Sequence, residues 1–243
     1  MKGPSGDYAL RFKREGRFLL EFVHPRVVRC VAAAEDPVEG GYLVCEFVPG
    51  ADLSKYVREK GPQPASWSAK VIIQLLAGLH FLHTRPGMIV HRDVKPANVL
   101  LRLDRLMLCE APIAELADLG MARALEDSGS TRLTQMGMVP GTAQYIAPEV
   151  FSGQEYGPAA DIYSAGIAAY YTVTRQFPFD YPPEAEENAY PFHVLAKEPL
   201  PVQMRLPAIP PLIGAAIDKA CRKDPGQRHP SALEFAQALK QAD

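Results

Sequence analysis

The residues of this sequence best equipped for chemistry lie in three short segments: HRDVKPAN at 91–98, ADLG at 117–120 and GTAQYIAPE at 141–149. The first is the strongest signal. It sets a His-Arg-Asp triplet ahead of an asparagine five positions after the aspartate, and six of its positions fit one pattern for phosphoryl transfer. At uniform composition a six-position fit somewhere in the chain has odds on the order of a few in a million. Moving a phosphoryl group needs little covalent help from protein, so such a site must supply positioning and positive charge around a loose transition state. ADLG alone is weak, because Asp-Leu-Gly occurs in many turns; it gains meaning from HRDVKPAN upstream.

On these segments, in this order, the chain resembles the eukaryotic-like serine/threonine protein kinases found widely in bacteria, from about Phe12 to the C-terminus. The resemblance implies an α+β, bilobal protein-kinase-like fold, with a partial, β-containing small lobe over residues 1–48 and a mainly helical large lobe over 49–243. It implies ATP and Mg²⁺ as cofactors and a protein bearing Ser or Thr as the partner that receives the γ-phosphate. Asp93 then resembles the group that orients the substrate hydroxyl, Lys95 the lysine directed at the γ-phosphate, and Asn98 and Asp118 the metal ligands. Leu119 stands at a packing position usually held by Phe. Thr142 resembles the threonine that contacts the catalytic aspartate and lysine. Glu149 and Arg228 are expected to form a buried, structural ion pair. Asp161 resembles the aspartate that holds the HRD backbone from below; by itself it reads as an ordinary acid at a helix start. Arg92 is placed to pair with a phosphate on the polar segment 124–137, where Thr134 is the preferred phosphosite.

In the small lobe, RFKREGRFLLEFVHP resembles the kinase αC helix, making Glu15 the partner of the ATP-anchoring lysine; without its neighbours it reads as a solvated, charged helix. Two positions are open to that lysine: Lys2, and a residue upstream of Met1. YLVCEFVPGADL resembles the fifth strand and hinge, with Cys45 as gatekeeper and the backbone of Glu46 and Val48 reaching adenine above Leu100. Cys45 is expected to be a small buried hydrophobe without thiol reactivity. The family's first three strands, with their GxGxxG turn, have no counterpart, so the sequence reads as starting after them. Two functions follow from the resemblance: a working kinase, or a truncated kinase-like scaffold that binds without turnover.

The elements that must position these residues are legible from hydrophobic spacing. Leu10, Phe12, Phe18, Leu19 and Phe22 predict an amphipathic helix ending before His24 and Pro25. VVRCVAAA and YLVCEFV, separated by EDPVEGG, predict two antiparallel strands. Val71, Ile72, Leu75, Leu76, Leu79 and Leu82 keep the spacing of a core-facing helix over 66–83. The run 160–173 is apolar nearly all round and predicts a buried central helix. The proline-rich stretch 178–201 predicts an irregular surface excursion. A last helical region, 212–239, is broken at DPGQRHP. The 20 positions between Asn98 and Asp118 exceed the family's usual gap, so CEAPIAEL, 109–116, is expected to hold an insertion.

At 243 residues, 47% hydrophobic and 22% charged, the chain has the makings of a sizeable core. A net charge of -2 offers no electrostatic case for nucleic acid. Four scattered cysteines without a CxxC pair, and the lack of a leader or of about 18 uninterrupted apolar residues, suggest a cytoplasmic setting without a membrane segment. Oligomeric state is not legible.

Overall fold

A computed structural model of the chain describes residues 19–36, 40–104, 111–119, 123–124, 143–154, 156–180 and 190–241. Lys2, Glu15, Thr134 and Thr142 lie outside the described residues.

Leu19 and Leu20 end the first helical segment, and Leu19 and Phe22 are buried. Strands β1 (Cys30–Asp36) and β2 (Gly40–Cys45) pair antiparallel, as the two β-prone runs predict. The chain then enters β3 (Gly50–Asp52) and helix α1 (Leu53–Lys60), which Asp52 caps by accepting a hydrogen bond from the Lys55 amide. Helix α2 (Ala65–His83) carries the predicted apolar stripe, and Val71, Ile72, Leu75, Leu76, Leu79 and Leu82 are all buried. After β4 (Ile89–Val90), strands β5 (Val99–Arg102) and β6 (Ile113–Leu116) form a sheet in the order β3-β5-β6, while β7 (Arg123–Ala124) pairs with β4. The large lobe continues with α3 (Pro148–Phe151), α4 (Pro158–Thr174), α5 (Tyr190–Ala196), α6 (Val202–Arg205), α7 (Pro211–Ala220) and α8 (Ala232–Lys240).

The core sits where α2 packs on α4 and α8, and α4 on α7. Residues 160–170 of α4 are buried without a break, which explains the absence of a polar face in that stretch. Each fully buried Leu, Ile or Val there contributes roughly 1.5–3 kcal/mol. Backbones approach closely at two glycines. A Cβ at Gly166 would stand 2.7 Å from the Ala220 Cβ, and one at Gly78 would stand 2.7 Å from the Arg26 carbonyl oxygen. The second contact lets residues 26–28 lie on α2 and bond to β6, through Leu116 N to Arg26 O and Val28 N to Leu116 O. Among the described helices, α2 is long and apolar enough to cross a bilayer by length and mean hydropathy, but half of it is buried inside the protein, as its core role requires.

The large lobe is mainly helical, as expected, with the short strands β3, β5 and β6 near its start. Within CEAPIAEL, Ile113–Leu116 is strand β6, paired residue by residue with β5, while Cys109 and Glu110 lie outside the described residues. The proline-rich stretch is not wholly irregular. It contains α5 and leads into α6, and Phe179 and Val194 bury each other in a small satellite cluster. Prolines there start helices, as Pro201 does immediately before α6.

Candidate active site

The site is anchored from α4. Asp161 lies in its first turn and is fully buried, yet its carboxylate is satisfied three times. Oδ2 accepts from the His91 amide and from His83 Nε2, both at 2.8 Å, and Oδ1 accepts from the Arg92 amide at 3.0 Å. These bonds hold Arg92 at φ 71°, in the left-handed region that costs a non-glycine residue roughly 1–2 kcal/mol. The turn points the chain so that Asp93 emerges at the surface of the core. Asp161→Ala would strip three donors of their acceptor, each costing about 1–3 kcal/mol when buried and unpaired. We expect urea denaturation to show a loss of at least about 3 kcal/mol, with Asp161→Asn losing less because its amide oxygen still accepts. A loss under about 1 kcal/mol for the alanine variant would contradict this role.

Two side chains converge on Asp93. Its Oδ2 accepts from Lys95 Nζ at 2.7 Å and from Asn98 Nδ2 at 2.9 Å, while Asn98 Nδ2 also reaches the Asp93 carbonyl at 2.8 Å. Both bonds end on Oδ2. The short 3₁₀ turn Pro96–Asn98 folds the asparagine back toward the aspartate. The Asn98 NH₂ is thus committed to Asp93.

The ADLG segment is pinned to the same loop by its backbone. Ala117 N donates to Asn98 O at 2.8 Å, and His91 Nε2 donates to Ala117 O at 2.9 Å while its Nδ1 accepts from the Asp93 amide at 3.3 Å. Those bonds fix the Nε2–H tautomer of a fully buried ring. Asp118, next along, is exposed and also left-handed at φ 62°. Leu119 is buried in the core, as its packing position predicts. Thus two of the four non-glycine residues with positive φ among the described residues, Arg92 and Asp118, flank the Asp93–Asn98 loop, the placement expected of strain held for function. A Mg²⁺ ion fits this donor set: an amide oxygen at Asn98 and a carboxylate at Asp118 are hard donors, and Mg²⁺ takes one or two protein oxygens plus phosphates and water. Among the described residues no cluster of three or more His, Cys, Asp or Glu forms a closed metal cage.

On the hinge side, Val48 is buried and Leu100 half-buried, while Glu46 is exposed. Leu103 N bonds Pro49 O and Leu100 pairs with Asp52, so the segment after β2 runs alongside β5 in the same sheet. Cys45 corrects the sequence reading: it is exposed, and its sulfur faces the Cys30 sulfur at 3.2 Å.

The Glu149–Arg228 pair forms as expected, bidentate at 2.7 Å on both arms, with both residues buried. Arg228 also bonds Ala159 O, two residues before Asp161, so this pair braces the helix start that holds the backbone of His91 and Arg92.

Sequence reasoning did not assign roles to His91 and His83. His83 was legible in principle as the polar residue next to Leu82 on the core side of α2. Its partner Asp161 is 78 positions away, and nothing local announces the pairing.

The family model described as a protein kinase domain matches residues 5–241. The serine/threonine-protein kinase pkn2 of Myxococcus xanthus is 35% identical over 236 residues, covering 96% of this chain and 27% of that protein. The serine/threonine-protein kinase PknB of Mycobacterium tuberculosis is 34% identical over 234 residues, 94% of this chain and 35% of that protein. The chain therefore spans about a third of the length of these curated relatives. Among solved structures, Rad53 1-466 in complex with AMP-PNP superposes with a TM-score of 0.73 at 26% identity, over 93% of this chain and 53% of that one. The Mycobacterium tuberculosis PknI kinase domain reaches 0.70 at 21% identity, over 98% and 81%, a likeness of fold.

Proposed function

Since this chain belongs to the protein kinase domain family, we propose that it transfers the γ-phosphate of Mg·ATP to a serine or threonine hydroxyl of a protein. The observation that carries the reading is the Asp93–Lys95–Asn98 network at 2.7–2.9 Å, clamped to ADLG through His91 and Ala117. Asp93 Oδ1 accepts the hydrogen bond of the incoming hydroxyl and aims its oxygen along the line of attack. Lys95, held on Oδ2 of the same carboxylate, places positive charge beside the transferring group. Asn98 Oδ1 and the Asp118 carboxylate would hold Mg²⁺, which when bound offsets the negative charge of the phosphates. In this reading the backbone of Glu46 and Val48 bonds adenine, with Leu100 beneath it. The residues assigned to turnover and the naming of the relatives as kinases support this reading over a scaffold without turnover. The same proposal includes a cytoplasmic setting and control by a phosphate at Thr134 pairing with Arg92.

The test is incubation of the protein with Mg²⁺, γ-labelled ATP and a generic basic protein containing Ser, Thr and Tyr, followed by phosphoamino-acid analysis. Label on Ser or Thr that disappears with chelator is the expected result. Label confined to Tyr, or no transfer, would remove the proposal.

A further inference from the structure

We propose that Cys30 and Cys45 are a modification site: a cross-strand thiol pair that peroxide converts into a disulfide tying β1 to β2 at the edge of the hinge. The geometry rests on a bulge. From Asp36–Gly40 to Ala32–Val44 the strands pair in one register, which alone would set Cys30 opposite Glu46. The register shifts by one residue at Val31, and Cys30 comes to lie directly opposite Cys45. Such a slip exchanges the faces to which side chains point, and here it turns two sulfurs toward each other at 3.2 Å. Glu46 N donates to Arg29 O, so the Cys30–Cys45 pair is of the closer, non-hydrogen-bonded kind, with α-carbons about 4.5 Å apart. That spacing falls within the range a disulfide spans, and the sulfurs need to close by only about 1 Å.

The two thiols differ in the way a stepwise oxidation requires. Cys45 is exposed and can meet a peroxide, whereas Cys30 is 4% exposed. Burial and the neighbouring sulfur push the Cys30 thiol up to about 12, so it stays protonated and waits. The Cys45 thiolate attacks one peroxide oxygen, the O–O bond breaks, and Cys45 sulfenic acid and hydroxide form. Cys30 sulfur then attacks the Cys45 sulfur, its proton leaves with the displaced hydroxyl as water, and the S–S bond closes. In sum two thiols and one hydrogen peroxide give one disulfide and two waters. The third described cysteine, Cys221, is buried at 1% exposure and lacks such access.

The inference is independent of the kinase reading, because its readout is covalent. The chain is treated with hydrogen peroxide, quenched with a thiol alkylator in denaturant, and digested with trypsin. Cleavage after Arg29 and Lys55 leaves both cysteines in one peptide. The expected product is that peptide about 2 Da lighter and unalkylated, split only after reduction once it is further cut at Glu35 or Glu39. Dithiothreitol should restore two alkylation sites, and Cys30→Ser should instead accumulate Cys45 sulfenic or sulfinic acid. If Cys30 remains alkylated in the wild-type protein after Cys45 has been oxidised, or if Cys45 is found bridged to Cys109 or to a second chain, the proposal is wrong. The wild-type map decides the matter even if a variant fails to fold.

Discussion

Asp93→Asn is expected to slow phosphate transfer by about 10²–10⁴-fold, the range that a positioned general base contributes, while leaving the fold intact. The substitution keeps shape and keeps an oxygen that can accept from Lys95 or Asn98 in place of Oδ2. What it removes is the second carboxylate oxygen and the charge, which the reading assigns to the incoming hydroxyl. The fall should therefore lie in kcat, with KM for ATP little changed, because the residue touches the acceptor and not the nucleotide. Single-turnover transfer to a basic protein measures the rate, and urea denaturation measures the fold. A rate within tenfold of the parent in a folded variant would take Asp93 out of the mechanism. Asp118→Asn should fail differently: its loss should be eased by raised Mg²⁺, since the carboxylate is assigned to the metal.

The parts of this molecule legible in the sequence were those governed by local periodicity. Helix α2 was readable because its six apolar positions recur on one face, and α4 because it has no polar face to expose. The β1–β2 hairpin was readable as two runs around a turn, but its pairing was not: the bulge at Val31 shifts register by one residue, and no residue type there announces it. Without that slip, the pairing of Cys30 with Cys45, 15 positions apart, cannot be read from the sequence. Strand β6 hid inside an expected insertion because four residues, IAEL, carry too little pattern to distinguish a strand from a loop. In the site, the spacing within HRDVKPAN announced its chemistry, whereas the clamp from His91 to Ala117 and the seat of Asp161 join segments 26 and 70 positions apart. Only folding reveals such contacts unless a family pattern supplies them.

Replacing Arg228 should cost a large part of this chain's stability. Each guanidinium N–H has an acceptor: Nε the Arg222 carbonyl, Nη1 Glu149 Oε1 and the Ala159 carbonyl, Nη2 Glu149 Oε2 and the Lys223 carbonyl, all within 2.9 Å. The group also lies 4.9 Å from the centre of the Tyr163 ring. Arg228→Met leaves Glu149 buried without a counter-charge, and breaking one side of such a pair typically costs about 3–5 kcal/mol. Against a total stability of about 5–15 kcal/mol, that loss should bring the urea midpoint down sharply with the slope unchanged. Arg228→Lys should recover little, because an ammonium has three donors at one point where this site offers acceptors spread over a planar fork. The decisive comparison is a double-mutant cycle: Glu149→Leu with Arg228→Met removes both charges together and should be less destabilised than Arg228→Met alone. Additive losses, or a single-variant loss below about 1 kcal/mol, would mean that the pair does not carry this load. Because Arg228 also holds the Ala159 carbonyl in the turn that presents Asp161, the Arg228→Met protein should lose phosphate transfer at temperatures where its global fold survives. Lys197, exposed and distant in the chain, provides the matched control: its loss should leave both readouts in place.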